Sequence, residues 1–146
     1  TMHAEDVDTM IRRLENEPIN LPATLVETID VVCIIGQVRA GGEEVRRIKA
    51  VVEIVSVNDS GEAITNTPFV WDPRTDTFFF KTESVMFNKL VQEFGLSPDY
   101  LQQEFSRRTR LLVELYKRNI TDYREVQKVI NAYYKTPQDV MRKFNL

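Results

Sequence analysis

Five consecutive apolar residues, Val31-Val32-Cys33-Ile34-Ile35, restrict the folds open to this chain more than any other stretch. A half-exposed strand alternates apolar and polar side chains, whereas an unbroken run is the pattern of a strand covered on both faces. The run is therefore expected to lie inside a larger sheet, with Cys33 as a small buried hydrophobe. As the single cysteine of the chain, Cys33 cannot form an internal disulfide. Gly36 follows directly and marks a bulge or a close backbone approach. Arg39–Glu44, with Gly41 and Gly42, reads as a turn. The next strand runs from about Val45 to Val57. Its even positions Ile48, Ala50, Val52 and Ile54 form an apolar face, and Arg47, Lys49 and Glu53 mix with Val51 and Val55 on a partly wet one. Asn58-Asp59-Ser60-Gly61 predicts a turn. Ile64–Trp71 is a third strand, and Pro68 within it argues for an edge or an irregular segment. Asp72–Asp76 turns again before Thr77–Lys81. Short loops make sequential antiparallel pairing the economical topology for this block, about residues 31–81.

Helical periodicity flanks the strands. Val7, Met10, Ile11 and Leu14 make one apolar face, with Glu5, Asp6 and Asp8 before it and Arg12 and Arg13 at its end, the order the helix dipole favours. Glu17-Pro18 ends that helix, and Pro22 opens a short one over Ala23–Thr28. In the tail, about residues 83–144, Thr82 or Ser84 caps a helix with Val85, Met86, Leu90, Val91 and Phe94 inward and Gly95 as its stop. Ser97-Pro98 opens the longest helix, whose stripe Leu101, Phe105, Leu112 and Leu115 is interrupted by Arg107, Arg108 and Arg110. Thr121 caps a helix carrying Val126, Val129, Ile130 and Tyr133, and Thr136-Pro137 starts a last one with Val140, Met141 and Phe144. The predicted class is α+β. A length of 146 residues predicts a single domain over 1–146.

Composition narrows the function. A net charge of −3 argues against general affinity for nucleic acid. No apolar run approaches the roughly 20 residues of a membrane helix. The aromatic residues Phe69, Trp71, Phe78, Phe79 and Phe80 could stack bases, but with an acidic balance core or interface packing is the better reading. One histidine and one cysteine fall far short of a zinc set. No Gly-x-Ser-x-Gly supports a hydrolase built on His3, and Glu5, Asp6 and Asp8 read as dipole compensation rather than a magnesium site.

His3 is the only histidine, and it belongs to a polar tetrapeptide, Thr1-Met2-His3-Ala4, delivered to a helix N-terminus where free N–H groups favour anions. This tetrapeptide resembles the Thr-x-His-Ala "His box" of the secretion traffic ATPases, the ring motors of type II and type IV secretion, pilus and archaellum assembly. The similarity continues through Arg12-Arg13-Leu14, Pro18-Ile19-Asn20-Leu21-Pro22, Ile29-Asp30-Val31-Val32, Val38-Arg39 and Arg46-Arg47-Ile48. It extends through Phe69-Val70-Trp71-Asp72-Pro73 with Asp76, Ile120-Thr121-Asp122-Tyr123 and Tyr133-Tyr134-Lys135-Thr136-Pro137, a combination that resembles the archaeal branch.

The resemblance implies the C-terminal half of a RecA-like motor domain, cut just before the His box. Gly36, Gly41, Gly42, Gly61 and Gly95 are the five glycines, and none leads into the Gly-Lys of a phosphate loop. The chain alone is thus expected not to hydrolyse ATP or to bind ATP and magnesium strongly, although the parent would use both. By resemblance, Thr1 and His3 would lie near the nucleotide, His3 beside the γ-phosphate. The parent would be a hexamer, working with a membrane platform protein at the cytoplasmic face of the membrane without inserting into it and without binding nucleic acid. Arg46, Arg47, Arg107, Arg108 and Arg110 are candidate subunit contacts, since guanidinium groups suit a partner's carboxylates. The alternative is a stand-alone α+β interaction domain in which His3 has no chemical role.

Overall fold

A computed structural model describes residues 2–58 and 62–146. Its elements are α1 (Val7–Glu15), α2 (Ala23–Val26), β1 (Val31–Ala40), β2 (Glu43–Val57), β3 (Ala63–Asp72), β4 (Thr77–Phe80), α3 (Val85–Phe94), α4 (Pro98–Lys117), α5 (Tyr123–Lys135) and α6 (Pro137–Lys143). The α+β reading holds: a helix, a four-stranded antiparallel sheet in the order β1-β2-β3-β4, then helices. The chain gathers into two compact units, Thr1–Leu90 and Val91–Leu146. The predicted turn at Asp59-Ser60-Gly61 lies outside the described residues.

In the first unit, Val7 and Ile11 of α1 and Val26 of α2 form a buried cluster with Val52 and Ile54 of β2. Val32, Ile34 and Ala50 pack against it. The apolar run of β1 departs from expectation. β1 is an edge strand whose burial alternates residue by residue, so Val31, Cys33 and Ile35 are exposed, Ile35 by 61%. Cys33 is therefore not a core residue in this chain. An uncovered apolar stripe on a free sheet edge is a natural place for another strand to pair.

Gly36 stands beside the predicted irregularity: the β1–β2 register shifts between Ile34 and Ile35. A Cβ on Gly36 would sit 2.7 Å from Lys49 Cδ. The shift also breaks the even-numbered face of β2. Ala50 pairs with Ile34, but Ile48 pairs with exposed Ile35 and is itself exposed. One extra residue in a strand sends the residues beyond it to the other face. Pro68 sits at a second irregularity, between the pairs Val51–Phe69 and Glu53–Asn66, a place in a sheet that a residue lacking an N–H suits. β3 is not an edge, however, because β4 pairs beyond it.

Glu53 corrects the expectation of a partly wet face most sharply. It is 4% exposed. Its carboxylate accepts hydrogen bonds from the Ser84 hydroxyl, from Asn66 Nδ2 at 2.9 Å, and from the backbone N–H groups of Val85 at 2.8 Å and Met86 at 3.4 Å. Ser84 in turn accepts from Phe87 N at 3.1 Å. The first turn of α3 is thus satisfied by one strand carboxylate and one serine. Of the inward face predicted for α3, Met86, Leu90 and Val91 are half-buried, whereas Val85 and Phe94 are exposed and none is fully buried.

In the second unit, Leu111 and Leu115 of α4, Tyr133 of α5, and Val140, Met141 and Phe144 form the core. The predicted stripe of α4 holds in part: Leu115 is buried and Leu101 half-buried, but Leu111 is buried in place of Leu112, and Phe105 is exposed. Both Leu111 and Leu112 are apolar, so periodicity alone does not choose between them; packing of α5 and α6 does. Ser97 caps α4 by accepting from Tyr100 N at 3.1 Å. α5 is capped by Asp122, which accepts from Arg124 N at 3.0 Å and Glu125 N at 3.2 Å, rather than by Thr121. Among the described residues, no helix is long and apolar enough to cross a membrane.

Candidate functional site

Three groups of candidate residues have defined surroundings. The first is the N-terminal segment. Thr1 lies outside the described residues, and His3 and Met2 are exposed. The His3 backbone carbonyl accepts a hydrogen bond from Arg13 Nη1, so the last turn of α1 holds the segment that precedes its first. Arg13 has a role that its position in a dipole-favoured helix end does not reveal. Two cavities adjoin this segment. One of about 360 Å³ runs from Met2 and Ala4 along Val31–Ile35, and one of about 480 Å³ includes Met2, Thr9, Arg12 and Arg13.

The helix N-terminus itself differs from the open anion site expected. Asp6 is the N-cap, and its carboxylate accepts from Thr9 N at 2.7 Å. Those bonds from Thr9 hold the Asp6 carboxyl below its ordinary pKa. A carboxylate already occupies part of the place a phosphate would take. His3 therefore stands three residues ahead of the cap, on an extended arm.

The second group joins residues distant in sequence. Arg47 on β2 donates from Nε and Nη2 to the two carboxylate oxygens of Asp76, each at 2.9 Å, and Trp71 Nε1 donates to Asp76 Oδ1 at 2.8 Å. Asp76 lies in the turn between β3 and β4 at φ +51, a left-handed position that aspartate tolerates better than most residues. Asp72 closes the same turn on Arg74, accepting from its backbone N at 2.9 Å. Arg47 is thus engaged within the chain as a clamp on the hairpin, and Arg46 beside it is exposed. The Arg47 guanidinium, then the Trp71 indole, lower the Asp76 pKa to about 2.

Because the folded pKa is depressed, the contribution of this clamp is full above the ordinary carboxylate value of 3.8 and is lost as pH falls through about 2. Carboxyl carbon NMR should show Asp76 titrating near the lower value. Arg47→Gln should return the midpoint toward 3.8, and an unmoved midpoint would mean that the clamp does not form in solution.

The third group is on α4. Arg108 Nε donates to Glu104 Oε1 at 2.9 Å, and its guanidinium lies 5.9 Å from the Tyr133 ring centroid and 5.3 Å from that of Tyr134. Tyr133 OH also donates to Glu104, at 3.1 Å. Burial, then the bond to Glu104, raises the Tyr133 pKa. Arg108 therefore serves the α4–α5 contact. Arg107 is 3.7 Å from Glu104, and Arg110 is exposed. The sequence places these three arginines together, and the structure separates their tasks.

Residues 74–146 match the family described as PilB3-like, C-terminal. The chain belongs to that family. The matched span of this PilB3-like C-terminal region begins in the β3–β4 turn and contains Asp76 and the α4 arginines, while His3, Arg46 and Arg47 precede it. It relates the chain to the C-terminal region of type IV pilus and secretion ATPases. Similarity also extends over most of the chain to three proteins of Methanocaldococcus jannaschii, each described only as uncharacterized. One is 30% identical over 138 residues, covering 88% of this chain and 51% of the relative. A second is 31% identical over 140 residues, covering 92% and 25%, and a third 25% identical over 143 residues, covering 97% and 20%. The chain thus spans about half the length of the first of these relatives and a quarter or less of the other two.

Proposed function

We propose that this PilB3-like C-terminal region is the part of a RecA-like secretion or pilus-assembly ATPase that turns the state of a bound nucleotide into movement. The family match over residues 74–146 carries this reading. In it, ATP and magnesium are held by a phosphate loop supplied by another part of the protein, and His3 meets the γ-phosphate. An imidazole can donate to a phosphate oxygen and change charge near neutral pH, which suits a group reporting ATP against ADP. Arg13 would pass that report into α1, whose apolar face rests on β2.

Six copies form the working ring, seated against a membrane platform protein at the cytoplasmic face. Arg46, Arg107 and Arg110 are the better candidates for subunit contacts among the five arginines considered, since Arg47 and Arg108 already serve internal bonds. The free edge of β1 is where strands of the larger sheet would pair, and it accounts for an apolar run that is half exposed in this chain.

The test compares this chain with the longer protein that includes a phosphate loop. This chain alone should release no phosphate above a blank from ATP and magnesium over hours, while the longer protein turns over. Turnover by this chain, abolished by His3→Ala, would overturn the assignment of its function to a catalytically incomplete region.

A further inference from the structure

Arg107 and Arg110 are three residues apart on α4 and so project from one side of it. α6 packs on α4 through Met141, in the cluster with Leu111 and Leu115, and this brings Arg142 to the same place. The three arginines line a cavity of about 380 Å³ together with Pro137, Gln138, Met141 and Leu146. The volume falls within the roughly 300–1,000 Å³ of small-molecule sites.

The charges here are incompletely matched. Arg107 is 3.7 Å from Glu104, whose oxygens also receive Arg108 and Tyr133, and Arg142 is 3.9 Å from Asp139. Both separations exceed a good charge-assisted hydrogen bond. Among the described residues, the Arg110 side chain has no ion pair or hydrogen bond.

We propose that Arg107, Arg110 and Arg142 form a binding pocket for a phosphate group, taking a small phosphate ester whose organic part lies against Pro137, Met141 and Leu146. A carboxylate carries one charge and is served by a single bidentate guanidinium. A terminal phosphate carries about −1.5 to −2 charge and three acceptor oxygens, enough to engage three arginines around one cavity. Arginine is weakly hydrated, so emptying the pocket of water costs less than it would with lysines. The site contains neither His3 nor any other residue assigned to ATP above, and it takes Arg107 and Arg110 as ligands of a phosphate group in place of the subunit contact considered for them.

The full chain, isotope-labelled, is titrated with inorganic phosphate, ADP, adenosine and succinate at fixed ionic strength, following the arginine Nε–H and Met141 methyl signals. Saturable shifts of Arg107, Arg110, Arg142 and Met141 are expected with phosphate or ADP. Arg110→Gln should weaken binding about tenfold or more, the loss of a charge-assisted contact. Arg46→Gln should leave it unchanged. Equal affinity for phosphate and ADP assigns free phosphate as the source, and tighter binding of ADP assigns an ester. Succinate binding as well as phosphate, adenosine binding as well as ADP, shifts that never saturate, or an Arg110→Gln variant of native circular dichroism with unchanged affinity would each overturn the proposal.

Discussion

If the chain works with a phosphate loop in a longer protein, as proposed, His3→Ala in that protein should lower ATP turnover by about 10²–10³ while changing nucleotide affinity little. The reason is position. A group that meets only the terminal phosphate adds little to affinity, because the phosphate loop makes most of the contacts. It acts where charge develops during transfer, so its loss falls on the rate. His3→Gln retains a hydrogen-bond donor but cannot titrate. Recovery of turnover by Gln would assign the hydrogen bond, and no recovery would assign charge or geometry. Arg13→Gln, which releases the His3 carbonyl while leaving the imidazole in place, should lower turnover in the same direction by a smaller factor. Turnover and affinity measured on one preparation decide the matter. If His3→Ala leaves both unchanged in an assembled ring, the segment before α1 is only a connector.

Loss of the Glu53 carboxylate should be the most damaging change to the first unit. Glu53→Ala removes the acceptor of four donors at once and leaves the N–H groups of Val85 and Met86 and the Ser84 hydroxyl without it, while Asn66 Nδ2 keeps its bond to the Glu83 carbonyl at 2.8 Å. A buried donor left without a partner costs about 1–3 kcal/mol, and with Val85 itself exposed the expected loss over the group is roughly 2–4 kcal/mol. For a unit of this size that lowers the melting temperature by about 10–25 °C. The single tryptophan, Trp71, lies in the same unit and reports the transition by fluorescence. Ser84→Ala should cost less, and the double variant should fall short of the sum because both side chains serve one network. A Glu53→Ala melting curve that overlays the parent's would show that the carboxylate is not buried in solution.

Glu53 also illustrates how far residue patterns reach. It alternates with apolar neighbours on β2, the mark of a half-wet face, and nothing local distinguishes it from Lys49 two turns of the pleat earlier. Its burial depends on Ser84, Asn66 and the start of α3, which arrive from 13 to 32 residues away. Leu111 against Leu112 is the same problem on a helix. Either leucine satisfies the period, and the arrangement of α5 and α6 chooses. The candidate site was legible to a comparable degree. Arg107, Arg108 and Arg110 stand out as charges inside an apolar stripe, but Arg142 carries no such signal, and only the packing of α6 on α4 places it with them.

By itself the sequence determined the α+β class, the strand and helix order, the turns at Gly41-Gly42 and Gly95, and the Ser97-Pro98 helix start. Each depends on the conformational preferences and periodicity of neighbouring residues, and glycines at positive φ or a cap before proline act within a few positions. Tertiary structure alone decided that β1 is a free edge, that a register shift sends Ile48 to the exposed side, that Arg47 belongs to Asp76, and that Glu53 is buried beneath the start of α3. Those outcomes turn on which distant group meets which, and a pairing energy exists only once both partners have been brought together.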